Sequence, residues 1–214
     1  ILFIEQCHNF LTEGGYLAIV LPDGVLTNSS LQYVRNQIED WYRIVAVVSL
    51  PQTAFTATGA GVKSSVLFLR KYSAKTTEQL QAQKRKIQNT IKTEYQYQHT
   101  IERIEKDKKH TLDTAQGTHF DGELKAFKKT ADYKTWKAKK TAEFTEQINE
   151  FKEQLEDAYQ QRKQSELPDY PIFMAIAENI GYDATGKSTG TNELDTIGVK
   201  LAQFIDEEVQ YENT

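Results

Sequence analysis

The segment Gly181-Tyr182-Asp183-Ala184-Thr185-Gly186-Lys187-Ser188 has the phosphate-loop spacing G-x-x-x-x-G-K-[ST], in which backbone N–H groups cradle phosphates and the lysine neutralises them. That chemistry needs a buried strand before the first glycine and a helix starting at the lysine. The flanks oppose both, because Ala177, Glu178 and Asn179 are poor strand residues and Gly190 interrupts any helix from Lys187. A solvated connection is the expectation, with nucleotide binding by Gly181 to Ser188 as the alternative.

A second constellation is the fourteen-residue stretch from Pro51 to Ser64, rich in Thr, Ala and Gly. Loops of that length inside compact domains are usually functional or disordered. Its Gly59-Ala60-Gly61 lacks the third glycine and the following helix of a dinucleotide fingerprint. Phe55 is an aromatic among small residues, and its plain reading is a staple that ties the loop to the core.

The third is basic. Lys125, Lys128, Lys129, Lys134, Lys137, Lys139 and Lys140 are opposed within their span by Asp132 alone, with Phe127, Tyr133 and Trp136 interleaved. Such a stretch suits phosphate contact or a solvated helix face. The four histidines lie apart and none has zinc-ligand spacing with Cys7, so no metal is expected. Neither G-x-S-x-G nor H-E-x-x-H occurs.

A single cysteine cannot form an internal disulfide, and no charged leader precedes it, which fits a reducing cytoplasm. The longest apolar runs, Leu17 to Leu21 and Ile44 to Val48, are far short of the roughly 20 residues that cross a bilayer. The net charge of −4 over 214 residues hides a division. Residues 1–72 are neutral, 73–166 carry +3, and 167–214 carry −7.

These divisions match the elements that must position the candidate residues. In 1–72, Phe3, Cys7, Phe10 and Leu11 have helical spacing, closed by Gly14-Gly15. Tyr16 to Leu21 reads as a strand ending in the turn Pro22-Asp23-Gly24. Asn28, Ser29 and Ser30 offer cap oxygens to a helix with Leu31, Val34, Ile38 and Trp41 on one face and Arg35, Asn36 and Glu39 on the other. Ile44 to Leu50 and Ser65 to Leu69 are further strands. Continuous apolar runs imply a sheet covered on both faces, and the strand, helix, strand order has the size of a βαβ unit. In 73–166, Leu80, Ile87, Ile91, Ile101 and Ile104, then Phe144, Ile148, Phe151, Leu155 and Tyr159, form two stripes separated by a break near Asp113 to Thr118. They predict an antiparallel helical hairpin. In 167–214, Pro168 and Pro171 end that helix, Ile172 to Ile176 is a short strand or helix, and Gly181 to Thr191 is a polar loop. Asn192 caps a last helix with Leu194, Ile197, Leu201, Phe204 and Ile205 on one face.

The run Leu11-Thr12-Glu13-Gly14-Gly15-Tyr16-Leu17-Ala18-Ile19-Val20-Leu21-Pro22-Asp23-Gly24-Val25-Leu26, with Tyr33-Val34-Arg35, Val47-Val48-Ser49-Leu50-Pro51 and Phe55, resembles the N-6 adenine DNA methylases. More narrowly, it resembles the modification subunits of type I restriction systems and their single-chain relatives. Thr58-Gly59, Ser64-Ser65-Val66-Leu67-Phe68-Leu69-Arg70-Lys71 and Ile180 to Lys187 continue the resemblance, the last as a turn. It covers about 1–72 and 168–206, with the lysine-rich helices as an insertion.

The resemblance implies an α/β fold: the later half of a Rossmann-like S-adenosylmethionine-dependent methyltransferase sheet, closed by a hairpin that reverses direction. It implies methyl transfer from S-adenosylmethionine to the N-6 amine of adenine in DNA, with a specificity subunit and a restriction subunit as partners. The family's donor loop and its Asn/Asp-Pro-Pro-Phe/Tyr catalytic motif do not occur in the 214 residues. Both are expected upstream, so the donor is expected to be bound mainly there, no catalytic residue is assigned here, and the segment alone is expected to be inactive. Phe55 takes the place of the family's base-stacking aromatic. Lys63, Lys125, Lys128, Lys129 and Lys137 are the candidate DNA contacts. The rival readings are a phosphate-loop nucleotide-binding protein and a non-enzymatic helical interaction module.

Overall fold

A computed structural model describes residues 1–120 and 122–212, and the side chains of the last helix through Glu207. The chain divides into two compact units, residues 1–81 with 170–214, and residues 82–169.

The first unit is α/β. Helix α1 (Leu2–Phe10) leads to β1 (Tyr16–Pro22), α2 (Asp23–Thr27), α3 (Gln32–Trp41), β2 (Tyr42–Ser49) and β3 (Ser64–Lys71). After the second unit come β4 (Phe173–Ile176), β5 (Ile180–Tyr182), β6 (Ser188–Asn192) and α8 (Glu193–Glu212). The main sheet has the order β1-β3-β2-β4. β3 is antiparallel to both β1 and β2, while β4 is parallel to β2.

The expected βαβ unit is therefore modified. β1 and β2 run in the same direction, but the reversed strand β3 occupies the slot between them and takes hydrogen bonds from both. The closing hairpin reverses direction as expected.

One face of the sheet is covered by α1, α2 and α3. Ile4, Leu21, Val25, Val34, Ile38, Tyr42, Leu67 and Leu69 form its core. Each such side chain contributes about 1.5–3 kcal/mol by leaving water. The face expected for α1 is corrected: Ile4 is 3% exposed whereas Phe3 and Phe10 are each 79% exposed. Residue 4 faces the sheet, and His8, one turn later, stacks on Trp41 with ring centroids 4.5 Å apart. Burial, then the Lys71 ammonium, lowers the His8 pKa. Burial likewise pushes Tyr42 up to about 12. Lys71 donates to the carbonyls of His8 (2.7 Å) and Leu11 (2.8 Å), satisfying the C-terminal end of α1.

The opposite face is covered by α8, where Leu201, Phe204 and Ile205 meet Val45, Ala46, Phe68 and Phe173. A register shift between Ile44 and Ala46 accompanies the burial of two successive residues, Val45 and Ala46. Coverage does not extend to β1, where burial alternates and Tyr16, Ala18 and Val20 are exposed. The expectation of two covered faces holds for β2 and fails for β1, because a continuous apolar run does not specify which neighbours cover it.

Two local expectations also change. The turn after Pro22 is the five-residue helix α2, anchored by Ser65 Oγ donating to Asp23 Oδ1 at 2.8 Å. Arg35, expected on the outer face of α3, donates to the carbonyls of Val25 (3.0 Å) and Asn28 (2.8 Å).

The second unit is helical. α4 (Ala74–Glu94) enters it, followed by α5 (Tyr97–Thr114), the short α6 (Leu124–Phe127) and the 36-residue α7 (Ala131–Glu166). The antiparallel return is seen in Arg162–Glu94 (3.0 Å), the Tyr97–Phe151 rings (6.1 Å) and Tyr133 Oη donating to the Leu112 carbonyl (3.0 Å). Ile87, Ile91 and Tyr159 form a buried cluster. Two breaks occur where one was expected. Gln96 and Ala115 both take left-handed φ, 49° and 51°, and the first splits the leading arm into α4 and α5.

Candidate functional site

The loop after β2 is closed by its own hydrogen bonds. Leu50 N–H donates to the Ser64 carbonyl at 3.1 Å, and Gln52 Nε2 donates to the Gly61 carbonyl at 2.9 Å. Phe55 starts the 3₁₀ turn Thr56–Thr58, and its carbonyl accepts from Thr58 N–H, Ala60 N–H and Thr58 Oγ1 at 2.8–3.1 Å. Gly59, at φ 88°, makes the left-handed exit that a side chain would strain. The fourteen-residue stretch is thus a compact loop at the C-terminal end of β2.

The Phe55 ring is half-buried. It packs against a cluster of Leu50, Ala54, Ala177 and Ile180. One side of the ring serves as a staple and the remainder is accessible. The β5–β6 hairpin braces the loop, with Tyr182 Oη donating to the Ala54 carbonyl at 3.1 Å. At its tip, a Cβ on Gly186 would lie 3.5 Å from that of Ala57. Tyr182 was missed as a positioning residue from sequence, since its bond spans 128 positions.

The phosphate-loop spacing at Gly181 to Ser188 forms the turn of this hairpin rather than a strand-to-helix cradle. The Asp183 carboxylate accepts from Thr185 N–H (2.8 Å), Lys187 N–H (3.1 Å) and Thr185 Oγ1 (2.7 Å). An internal anion holds the donors that a phosphate would need. Those bonds, led by Thr185 Oγ1, hold the Asp183 carboxyl below the usual aspartate value. The segment from Gly181 to Thr191, expected as an open polar loop, contains paired strands. At its far end Glu193 accepts from Glu178 N–H (2.7 Å) and Asn179 N–H (2.9 Å). Asn192 Oδ1 caps α8 through Leu194 N–H at 3.2 Å, as its position predicts.

Several glycine N–H groups are likewise engaged within the chain. Gly14 N–H donates to the Lys71 carbonyl and Gly15 N–H to that of Thr12. Gly59 and Ala60 N–H donate to Thr56 and Phe55, and Gly186 N–H to Asp183. These turns offer no free N–H cradle for an anionic group.

Of the five candidate lysines, Lys63 belongs to the first unit and points inward, its ammonium donating to Ser49 Oγ at 2.8 Å and to the Leu50 carbonyl. It clamps the two ends of the Phe55 loop. The remaining four lie in the helical unit. Lys125, Lys129 and Lys137 are exposed, and Lys128 sits 3.9 Å from Asp113. Among the described residues no group of three His, Cys, Asp or Glu could hold a metal ion, and no helix is long and apolar enough to cross a membrane.

Comparison with known proteins bears on this arrangement. The family model described as N-6 DNA Methylase matches residues 1–166, running through the helical unit and stopping before the later stretch where the resemblance resumes. No match is found among curated proteins. A solved structure described as a class I S-adenosylmethionine-dependent methyltransferase from Listeria monocytogenes is 32% identical over 34% of this chain, with a TM-score of 0.30. The match spans 22% of that protein's chain. A family model that covers β1 to β3 and α4 to α7 gives the chain its place: it belongs to the N-6 DNA methylase family.

Proposed function

We infer that this chain is the later part of the catalytic domain of a DNA methyltransferase that moves the methyl group of S-adenosylmethionine to the N-6 amine of adenine. We place it in a type I restriction-modification system, with a specificity subunit choosing the DNA site and a restriction subunit as a further partner. The observation that carries the reading is the aromatic loop on the C-terminal end of β2, held by Lys63 and Tyr182 beside the reversed strand β3, in a chain of this family.

The glycine turns described above, with their N–H groups satisfied internally, do not fit S-adenosylmethionine. No donor contact is assigned to this chain, and donor binding and proton handling fall to polypeptide outside it. Its own contribution is to receive the base. An adenine must leave the duplex stack before its amine can be reached, and aromatic side chains commonly hold the extruded base. Phe55 supplies such a face at the rim of the sheet.

The test measures transfer of labelled methyl groups to adenine in duplex DNA by the complete gene product with its specificity subunit. The reading expects N-6-methyladenine, expects it to form about 5- to 150-fold less efficiently in Phe55→Leu, and expects no transfer by residues 1–214 alone. Methylation of another base, or of a small molecule in place of DNA, refutes it.

A further inference from the structure

Charge is segregated along the helical unit. From Lys106 to Lys140 the chain has ten lysines against five acidic residues, whereas residues 141–166 have three basic residues against seven acidic ones. The antiparallel return brings the lysines of both arms to one end. There an open groove of about 500 Å³ is bordered by Lys108 and Lys109 from α5, by Lys137 from α7 and by Lys128 between α6 and α7. Glu105 and Asp113 also border it. Lys125, Lys129, Lys134, Lys137 and Lys139 are exposed.

The aromatic residues interleaved with these lysines pack on one another, Tyr133 buried and Phe120, Phe127 and Trp136 partly so. Phe120 stacks on Phe127 (4.6 Å), Phe127 meets the edge of Tyr133 (5.6 Å), and Tyr133 lies against Trp136 (5.5 Å). Tyr133 is 7% exposed and its hydroxyl is bound to the Leu112 carbonyl. The rings form a small rigid core that presents lysines outward. Ring-on-ring packing of this kind is not the open platform on which unpaired bases stack when a single strand is gripped.

We propose that this lysine-bearing end of the helical unit contacts the phosphate backbone of duplex DNA outside the target base, without reading sequence. Three observations favour that occupant over an acidic protein. Protein interfaces are anchored by buried apolar or aromatic side chains, yet among the described residues no large hydrophobic residue between Tyr95 and Ile172 is prominently exposed. The charge is supplied only by lysine, for no arginine occurs between Arg103 and Arg162. Lysine is a flexible point charge that neutralises phosphate, and it lacks the planar fork that makes arginine a bidentate reader. Residues 141–166 carry net −4 and the part of α4 that packs on them, residues 82–94, carries +3, so charge nearly cancels at that end, whereas residues 106–140 keep +5 and are the stronger attraction for a polyanion.

The proposal rests on DNA being the substrate, and its test is separable from that of methyl transfer. The 214-residue chain is titrated with fluorescent duplexes of unrelated sequence, and log Kobs is followed against log salt. Neutralising Lys125, Lys129, Lys134 and Lys137 together (K125Q, K129Q, K134Q, K137Q) should reduce the slope by about 3–4, at about 0.9 per phosphate contact, equally on every sequence. The matching Lys→Arg variant should keep the slope, and both should keep the helical circular dichroism. An unchanged slope in the folded Gln variant overturns the proposal, as does a loss confined to one sequence, or tighter binding of polyglutamate than of duplex. If methylation itself fails while the slope still falls, the fault lies in the catalytic reading and not in this surface.

Discussion

Replacing Phe55 separates its two roles, because the structure gives it both a packed side and an accessible one. Complete burial of a phenylalanine is worth about 3–5 kcal/mol on truncation to alanine. The ring is half-buried against Leu50, Ala54, Ala177 and Ile180, so Phe55→Ala should cost about 1.5–2.5 kcal/mol by that scale. At about 2–4 °C per kcal/mol for a chain of this size, Tm should fall by about 3–10 °C. That loss confounds the alanine variant. Phe55→Leu keeps most of the apolar volume and should cost under about 1.5 kcal/mol, but it removes the aromatic face. Stacking of a base on an aromatic side chain is worth about 1–3 kcal/mol, or about 5- to 150-fold in kcat/KM. The assay is methyl incorporation into duplex DNA by the complete methyltransferase, with Tm measured on the same samples. Phe55→Trp should retain activity. If Phe55→Leu keeps the wild-type kcat/KM, the ring is only a staple and the stacking argument is refuted.

The hairpin turn should depend on Asp183. In Asp183→Ala the amides of Thr185 and Lys187 lose their acceptor and should exchange faster in hydrogen-exchange measurements. The folded-state pKa of this carboxyl lies below its ordinary value of 3.8, so its contribution is present above that value. It is lost as pH falls through the depressed one, and slow exchange at these amides should disappear in that acid range. With the turn donors occupied by Asp183, calorimetry should detect no ATP binding by the wild-type chain, nor any difference in Lys187→Ala. Measurable ATP affinity abolished by that substitution would restore the phosphate-loop reading. Ile38, 2% exposed beneath the sheet, should cost about 2–5 kcal/mol on truncation to alanine, read from the urea midpoint.

Much of the architecture was legible because local chemistry and tertiary demand agree. Val34 and Ile38 are buried where helical spacing placed them, Asn192 caps α8, and the stripes of the middle segment do pack on each other. Legibility failed where the deciding partner is distant in sequence. Nothing in the composition of α1 shows that Ile4, rather than Phe3 or Phe10, faces the sheet, because both faces of that helix are apolar. The phosphate-loop spacing at Gly181 was unsafe for the same reason, since the same letters serve a hairpin whose donors are held by Asp183. Lys63 had the composition of a DNA contact, and only the fold shows its ammonium turned onto Ser49 and Leu50.

Periodicity, caps and apolar runs by themselves established an α/β body with a helical extension, because those signals arise between residues a few positions apart. The motif resemblance pointed from sequence alone to the family that the comparison then identified. Tertiary structure decided the rest: the reversed strand between β1 and β2, the mutually packed rings among the lysines, and the two sides of Phe55. Each depends on hydrogen bonds and contacts between segments far apart in the chain, for which a linear sequence carries no local signal.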